Sequence, residues 1–152
     1  MAKQPRNAVR LEDSFAYHIY RCARLLRYRF THFASGLGAE VSQEQFFILH
    51  RLREKPGQSQ IELGDALFSD RPNLTRMIAT MERNGWLKRE GDPADARKLR
   101  VSLTAQGTQL IGRIEAAVLE ERKRLFAKLT KSDLAELVRI ISQIETNISV
   151  DS

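Results

Sequence analysis

The sequence predicts a mainly α-helical fold with one small β-hairpin. Three observations predict it. Apolar residues recur at three- and four-residue spacing along most of the chain. Helix-start signatures stand at Ser42/Gln45, Ser59/Glu62 and Thr130/Asp133. Between residues 83 and 104, "RNGWLKREGDPADARKLRVSLT", the period drops from helical to alternating around a charged, turn-prone tip.

The first helix is expected over about 11–34. Phe15, Ile19, Cys22, Leu26, Phe30 and Phe33 share one face, and Gly36 and Gly38 end it. A second helix, "VSQEQFFILHRLREKPG", opens at Ser42 and stops at Pro56-Gly57. A short third helix, "SQIELGDALF", follows, and then a fourth, "SDRPNLTRMIATMERNG". Asp70 is its expected N-cap, Pro72 fits its first turn and Gly85 the C′ position. Two short helices joined by a tight turn around Phe68-Ser69 make a helix-turn-helix. "WLKRE" and "KLRVSLT" then read as strands with "GDPADAR" as their turn; Trp86, Leu87, Leu99, Val101 and Leu103 supply apolar positions. A helix-turn-helix followed by such a hairpin is a winged helix.

Thr104 opens a fifth helix, expected to about 128, with Leu110, Ile114, Val118 and Leu125 in one stripe. The last helix, "LTKSDLAELVRIISQIETNI", carries Leu134, Leu137, Ile141, Ile144 and Ile148 in an a/d pattern. Two heptads are too few for an independent coiled coil, but they suit packing against helices of another subunit.

Of 152 residues, 25 are basic and 19 acidic, a net charge of +6. Residues 1–35 carry net +5 and residues 71–100 net +4, residues 36–70 carry net −3, and the remainder is balanced. Two basic blocks are the footprint of a polyanion binder, although a solvated face fits the charge equally well. No apolar run approaches ~18 residues, and the N-terminal "MAKQPRNAVRLEDSF" lacks an apolar signal core; a cytoplasmic location and no membrane partner are the expectation. One cysteine excludes an internal disulfide framework and a Cys-rich zinc site. HExxH, P-loop and GxSxG patterns are absent and the three histidines are scattered, so an enzyme is not expected, nor a cofactor or metal.

The fourth helix divides into two faces. Leu74, Met77, Ile78 and Met81 should be core. Asn73, Thr75, Arg76, Ala79, Thr80 and Arg83 lie largely opposite, with Arg71 and Pro72 at the start. A major groove admits one α-helix, and Arg, Asn and small side chains read its edges. On its own the face could equally be a polar surface. The hairpin decides the reading. A basic wing lies naturally in the neighbouring minor groove, where negative potential attracts Arg. Arg97 is the candidate insert, with Asp95 holding its guanidinium by charge-assisted hydrogen bonds. An incidental ion pair, contributing about 0–1 kcal/mol, is the plainer alternative.

At these residues the chain resembles the MarR family of bacterial transcription regulators. The resemblance rests on Thr75-Arg76, Met81-Glu82, Gly85-Trp86, Arg89, Asp92-Pro93, Asp95, Arg97, and Leu103-Thr104 with Gly107, in register over residues 70–107. Ala96 departs from it, standing where a further Arg is common, so weaker wing contacts to phosphate are expected.

The resemblance implies a single MarR-type domain over 1–152. A winged-helix DNA-binding lobe would occupy about 40–103, and dimerisation helices about 8–36 and 104–150. It implies a homodimeric, sequence-specific repressor on a pseudo-palindromic double-stranded operator. Arg71, Pro72, Asn73, Thr75, Arg76, Thr80, Arg89, Asp95, Arg97 and Lys98 are the candidate DNA-binding residues. Phe15, Ile19, Leu134, Leu137, Ile141, Ile144 and Ile148 are the candidate dimer contacts. Family members often bind small phenolic or other aromatic ligands between the lobes; Tyr17, His18, Tyr20, Arg24, Phe47 and His50 are candidates here, against the plainer expectation that such aromatics are core. One branch of the family senses peroxide through a cysteine, but Cys22 falls six residues past the corresponding position, Ala16, and is expected to be buried and structural. The main rival is a ligand-sensing or protein-interaction module that has lost operator binding.

Overall fold

The computed structural model describes residues 10–38 and 40–150. Two units make up the chain, Met1–Glu115 and Ala116–Ser152. The expected dimerisation stretch beginning near residue 8 starts outside the described residues, at 8 and 9.

In the first unit, a single 3-10 turn over Leu11–Asp13 precedes α1, Phe15–Gly36. The helix starts later than the apolar pattern suggested because Ser14 is its cap, accepting the Tyr17 N–H. It also runs through Gly36, and the left-handed φ of +67° falls on Gly38. Helix α2, Gln43–Glu54, opens on the expected reciprocal box between Ser42 and Gln45. Helix α3, Gln60–Leu67, opens on the same box between Ser59 and Glu62. Helix α4, Arg71–Arg83, is capped by Asp70, whose carboxylate accepts the Asn73 N–H at 2.8 Å. Gly85 follows with φ +74°, which reverses the chain into the sheet.

The hairpin is longer than its sequence pattern. Strand β2 spans Leu87–Asp92 and β3 spans Asp95–Leu103, so the turn shrinks to Pro93-Ala94. Asp92 accounts for this: its Oδ1 accepts the Ala94 N–H at 2.8 Å and closes the turn from within. A third strand, β1, Gln58–Ser59, pairs with β3 and gives an antiparallel sheet in the order β1-β3-β2. Leu99 was expected to be apolar filling, but it is exposed because it pairs with Gly91 out towards the tip.

Ile48, Leu49 and Leu52 of α2, Leu63 of α3, and Leu74, Ile78 and Met81 of α4 are buried. Leu87, Val101 and the first turns of α5 (Ala105–Leu125), through Leu110, Ile111 and Ile114, are buried too. Each such side chain contributes roughly 1.5–3 kcal/mol on leaving water. Met77, expected in this core, is half-buried. Gly107 sits so near the Trp86 carbonyl that a Cβ there would lie 2.1 Å from its oxygen. Thr104 ties the same corner: its N–H reaches Trp86 O at 3.0 Å and its hydroxyl accepts the Gly107 N–H.

On α1 the expected apolar face is only partly used. Phe30 is buried against Phe33 and Phe46, whereas Phe15, Ile19 and Cys22 are exposed in the single chain. The expectation of a buried Cys22 is therefore wrong for the single chain. Helix α1 buries Phe30 and Ala34 near its end, and nothing beyond half-burial upstream of them.

The second unit contains the end of α5, which stops at Leu125 rather than about 128, and α6, Lys131–Val150. Thr130 and Asp133 form the expected cap pair: the Thr130 N–H donates to Asp133 at 2.7 Å and the Asp133 N–H to Thr130 at 3.1 Å. Leu137, Ile141, Ile144 and Ile148 are exposed in the single chain, and Leu134 is half-exposed.

Candidate nucleic-acid interface

Helix α4 presents a polar face opposite its buried stripe. Arg71, Pro72, Thr75 and Arg76 are exposed, while Asn73 and Thr80 are half-exposed. Among the described residues, Arg71 and Arg76 make no side-chain hydrogen bond or ion pair. Thr75 lies 3.4 Å from Gln60 of α3, and Thr80 accepts from Arg83 at 3.0 Å. Arg71 and Thr75 border a cavity of about 230 Å³ with Gln60, Ile61 and Leu74. The starts of α3 and α4 thus border one concavity, with Arg71 as its charged residue.

In the wing, Arg97 is 91% exposed, and its Nε donates to Asp95 Oδ1 at 3.1 Å. The same oxygen accepts the Arg97 N–H at 3.1 Å. Residues two apart on a strand point to the same side, so this pairing follows from the strand itself. Lys98 Nζ stands 3.9 Å from Asp95 Oδ2. One carboxylate therefore sits among two cations and leaves both projecting.

Arg89 differs from the other candidates. Its Nε and a terminal nitrogen reach Glu82 Oε2 at 3.0 and 2.5 Å, joining β2 to the last turn of α4. The Arg89 hydrogen bond holds the Glu82 carboxyl below its ordinary range, and Glu82 in turn raises the Arg89 pKa. Its guanidinium is already engaged inside the fold.

Sequence reading missed Arg100. Its Nε donates to Asp92 Oδ2 at 2.8 Å, and another nitrogen donates to the Gly57 carbonyl at 2.6 Å. Asp92 is 8% exposed, and the Ala94 N–H and then Arg100 hold its carboxyl below the ordinary range. No local signal could have found this triangle, because its third corner lies 43 residues away in sequence.

The candidate ligand residues do not converge. Tyr17 and His18 pack ring to ring at 5.9 Å, and the Arg24 guanidinium lies 5.9 Å from the Tyr20 ring, all on α1. Phe47 and His50 lie on α2, and both contact Phe46. No ring contact, hydrogen bond or ion pair among the described residues joins the two sets. None of the six is buried in the single chain, where the plainer expectation had them as core. Phe47 borders a cavity of about 280 Å³ with Arg27, Glu44, Phe68, Asn73 and Met77. His50 lies 3.7 Å from Glu54 and 3.5 Å from Glu115, the carboxylate that Arg53 also pairs with.

A helix-turn-helix, a three-stranded sheet and a cationic wing together define a winged helix. Residues 41–99 match the model of the MarR family. The fold extends beyond the match. The repressor CouR, solved bound to a 23-mer DNA duplex, is 24% identical, with 91% of this chain and 99% of that one covered at a TM-score of 0.81. The PcaV regulator of Streptomyces coelicolor, solved with its natural ligand, is 22% identical over 91% and 96% of the two chains, TM-score 0.77. A probable transcriptional regulator from Pseudomonas aeruginosa is 25% identical over 89% and 99%, TM-score 0.76. No helix among the described residues is long and apolar enough to cross a membrane.

Proposed function

We propose that the protein is a homodimeric repressor that binds a pseudo-palindromic double-stranded operator and releases it on binding a small aromatic ligand. The observation that carries the reading is the wing: Arg97 projects into solvent while Asp95 fixes its direction. In this reading Arg71, Asn73, Thr75 and Arg76 enter a major groove, with Pro72 and Thr80 at its edge. Arg97 enters the adjacent minor groove, and Lys98 meets phosphate. Arg89 supports the wing through Glu82 and does not itself need to touch DNA.

Two-fold operator symmetry requires a two-fold protein. We assign the exposed stripe of α6 and, on α1, Phe15 and Ile19 to contacts with the second subunit. Residues about 40–103 form the reading lobe, and the stretches at about 8–36 and 104–150 the dimerisation helices. The CouR–DNA and PcaV–ligand structures support this reading by likeness of fold. For the ligand we retain Tyr17, His18, Tyr20, Arg24, Phe47 and His50, whose aromatic and polar groups are accessible in the single chain.

Selection from a random duplex library by the purified protein tests the proposal. A symmetric enriched sequence is expected. Recovery of unselected sequence at low salt would leave the protein without an operator and favour an interaction module.

A further inference from the structure

Arg100 occupies an unusual place in the sheet. It lies on the central strand, paired with Glu90 of the wing on one side and with Ser59 on the other. Ser59 is the residue that caps α3. The Arg100 guanidinium reaches in both directions: to Asp92, which closes the wing's turn, and to the Gly57 carbonyl at the start of β1. Its stem also lies against Gly57, 3.7 Å from where a Cβ would stand. One side chain therefore ties the wing tip to the turn that launches the helix-turn-helix.

We propose that Arg100 is a positioning residue for DNA binding, setting where the wing holds Arg97 relative to α3 and α4. The inference rests on the DNA-binding reading above. Its physical basis is that the outer wing is a two-stranded ribbon, a structure marginally stable by itself and free to twist. Beyond Ser59, β3 has no partner except β2, and the register shifts between Gly91 and Asp92. A side chain that must enter a groove has to be held to within about half an ångström by its supports. The Asp92–Arg100–Gly57 triangle ties the wing's turn to the segment that leads into α3, beyond the Arg89–Glu82 pair that joins the base of the wing to α4. Charge alone does not do this: Lys has one donor centre and cannot match the guanidinium's divergent donors.

The test uses the full-length protein, on the duplex it enriches from a random library. Arg100→Lys, Arg100→Gln and Asp92→Asn are each compared with the wild type, with and without Arg97→Ala. We expect Arg100→Lys and Arg100→Gln to bind about tenfold more weakly, and Asp92→Asn to bind more weakly despite removing a negative charge. In the Arg97→Ala background these losses should largely vanish, because the wing then has no insert left to place. Wild-type affinity in Arg100→Lys, or losses that simply add to that of Arg97→Ala, would make Arg100 an ordinary phosphate contact and overturn the proposal. Amide exchange without DNA reads the brace independently: the Ala94 and Arg97 amides should exchange faster in Arg100→Gln, and unchanged rates would overturn the brace itself. Failure of the wild type to bind any duplex would instead overturn the DNA-binding reading, and the two failures are thereby distinct.

Discussion

Asp95 and Arg97 share one side of β3, and a single carboxylate oxygen of Asp95 accepts both the backbone N–H and the Nε of Arg97 at 3.1 Å. An acid at a cationic tip would ordinarily repel DNA. Here it orients the arginine. Arg97→Ala is expected to weaken operator binding at least tenfold and leave the oligomeric state unchanged. Asp95→Ala should also weaken binding, by a smaller factor, although it raises the net charge. Fluorescence anisotropy at matched salt checks both; tighter binding by Asp95→Ala would show that Asp95 only repels the duplex.

The Trp86 carbonyl rests against Gly107, leaving no room for a Cβ. Both atoms belong to backbone, so neither can rotate away. Gly107→Ala should destabilise the fold by about 3 kcal/mol, as overpacking does at its upper range. Urea denaturation measures it; a change within about 0.5 kcal/mol, the range of a neutral surface site, would contradict the packing described.

Acid should loosen the wing before neutral pH does. Asp92 has its carboxyl lowered by the Ala94 N–H and by Arg100, so its stabilising effect is complete above the ordinary aspartate range. That contribution is lost as pH falls through the lowered folded value. Glu82, lowered by Arg89, acts in the same direction. Stability measured against pH should therefore fall on the acid side, and Asp92→Asn should flatten part of that fall while changing nothing between pH 6 and 8 beyond a constant offset. An unaltered acid limb in Asp92→Asn would contradict the role given to this carboxylate.

Leu137 and Ile144 are exposed on α6 of the single chain. If a second subunit covers them, Leu137→Glu with Ile144→Glu places two charges in an apolar interface and should yield monomers. Light scattering on a sizing column reads the mass, and far-UV circular dichroism should show the helices retained. A dimer of undiminished stability would move the interface elsewhere.

The helix plan was legible because its signals are local. Ser42/Gln45, Ser59/Glu62, Asp70 and Gly85 each act within four residues of the backbone group they satisfy. The Asp95–Arg97 pair was legible for the same reason. Strand β1 was not, since two residues cannot show alternation and its existence depends on Val101 and Arg100 opposite. The turn was read too long because Asp92 closes it through a side chain, which composition does not reveal. Arg100 was invisible because Gly57 reaches it only in three dimensions. Cys22 was misplaced by periodicity, which shows that a face is apolar and not which part of it the same chain covers.

The most direct test of DNA recognition by this lobe is fluorescence anisotropy of the wild type on its enriched duplex and on a scrambled one, across a salt series. The account predicts one dimer per site, preference for the enriched duplex, and affinity falling steeply with salt, since each neutralised phosphate adds about 0.9 to the slope of log affinity against log salt. Replacing Arg76 by Ala should lower affinity, and should lower that slope by about 1 if Arg76 anchors a phosphate. Equal affinity for the two duplexes, or no binding to either at low salt, would contradict it.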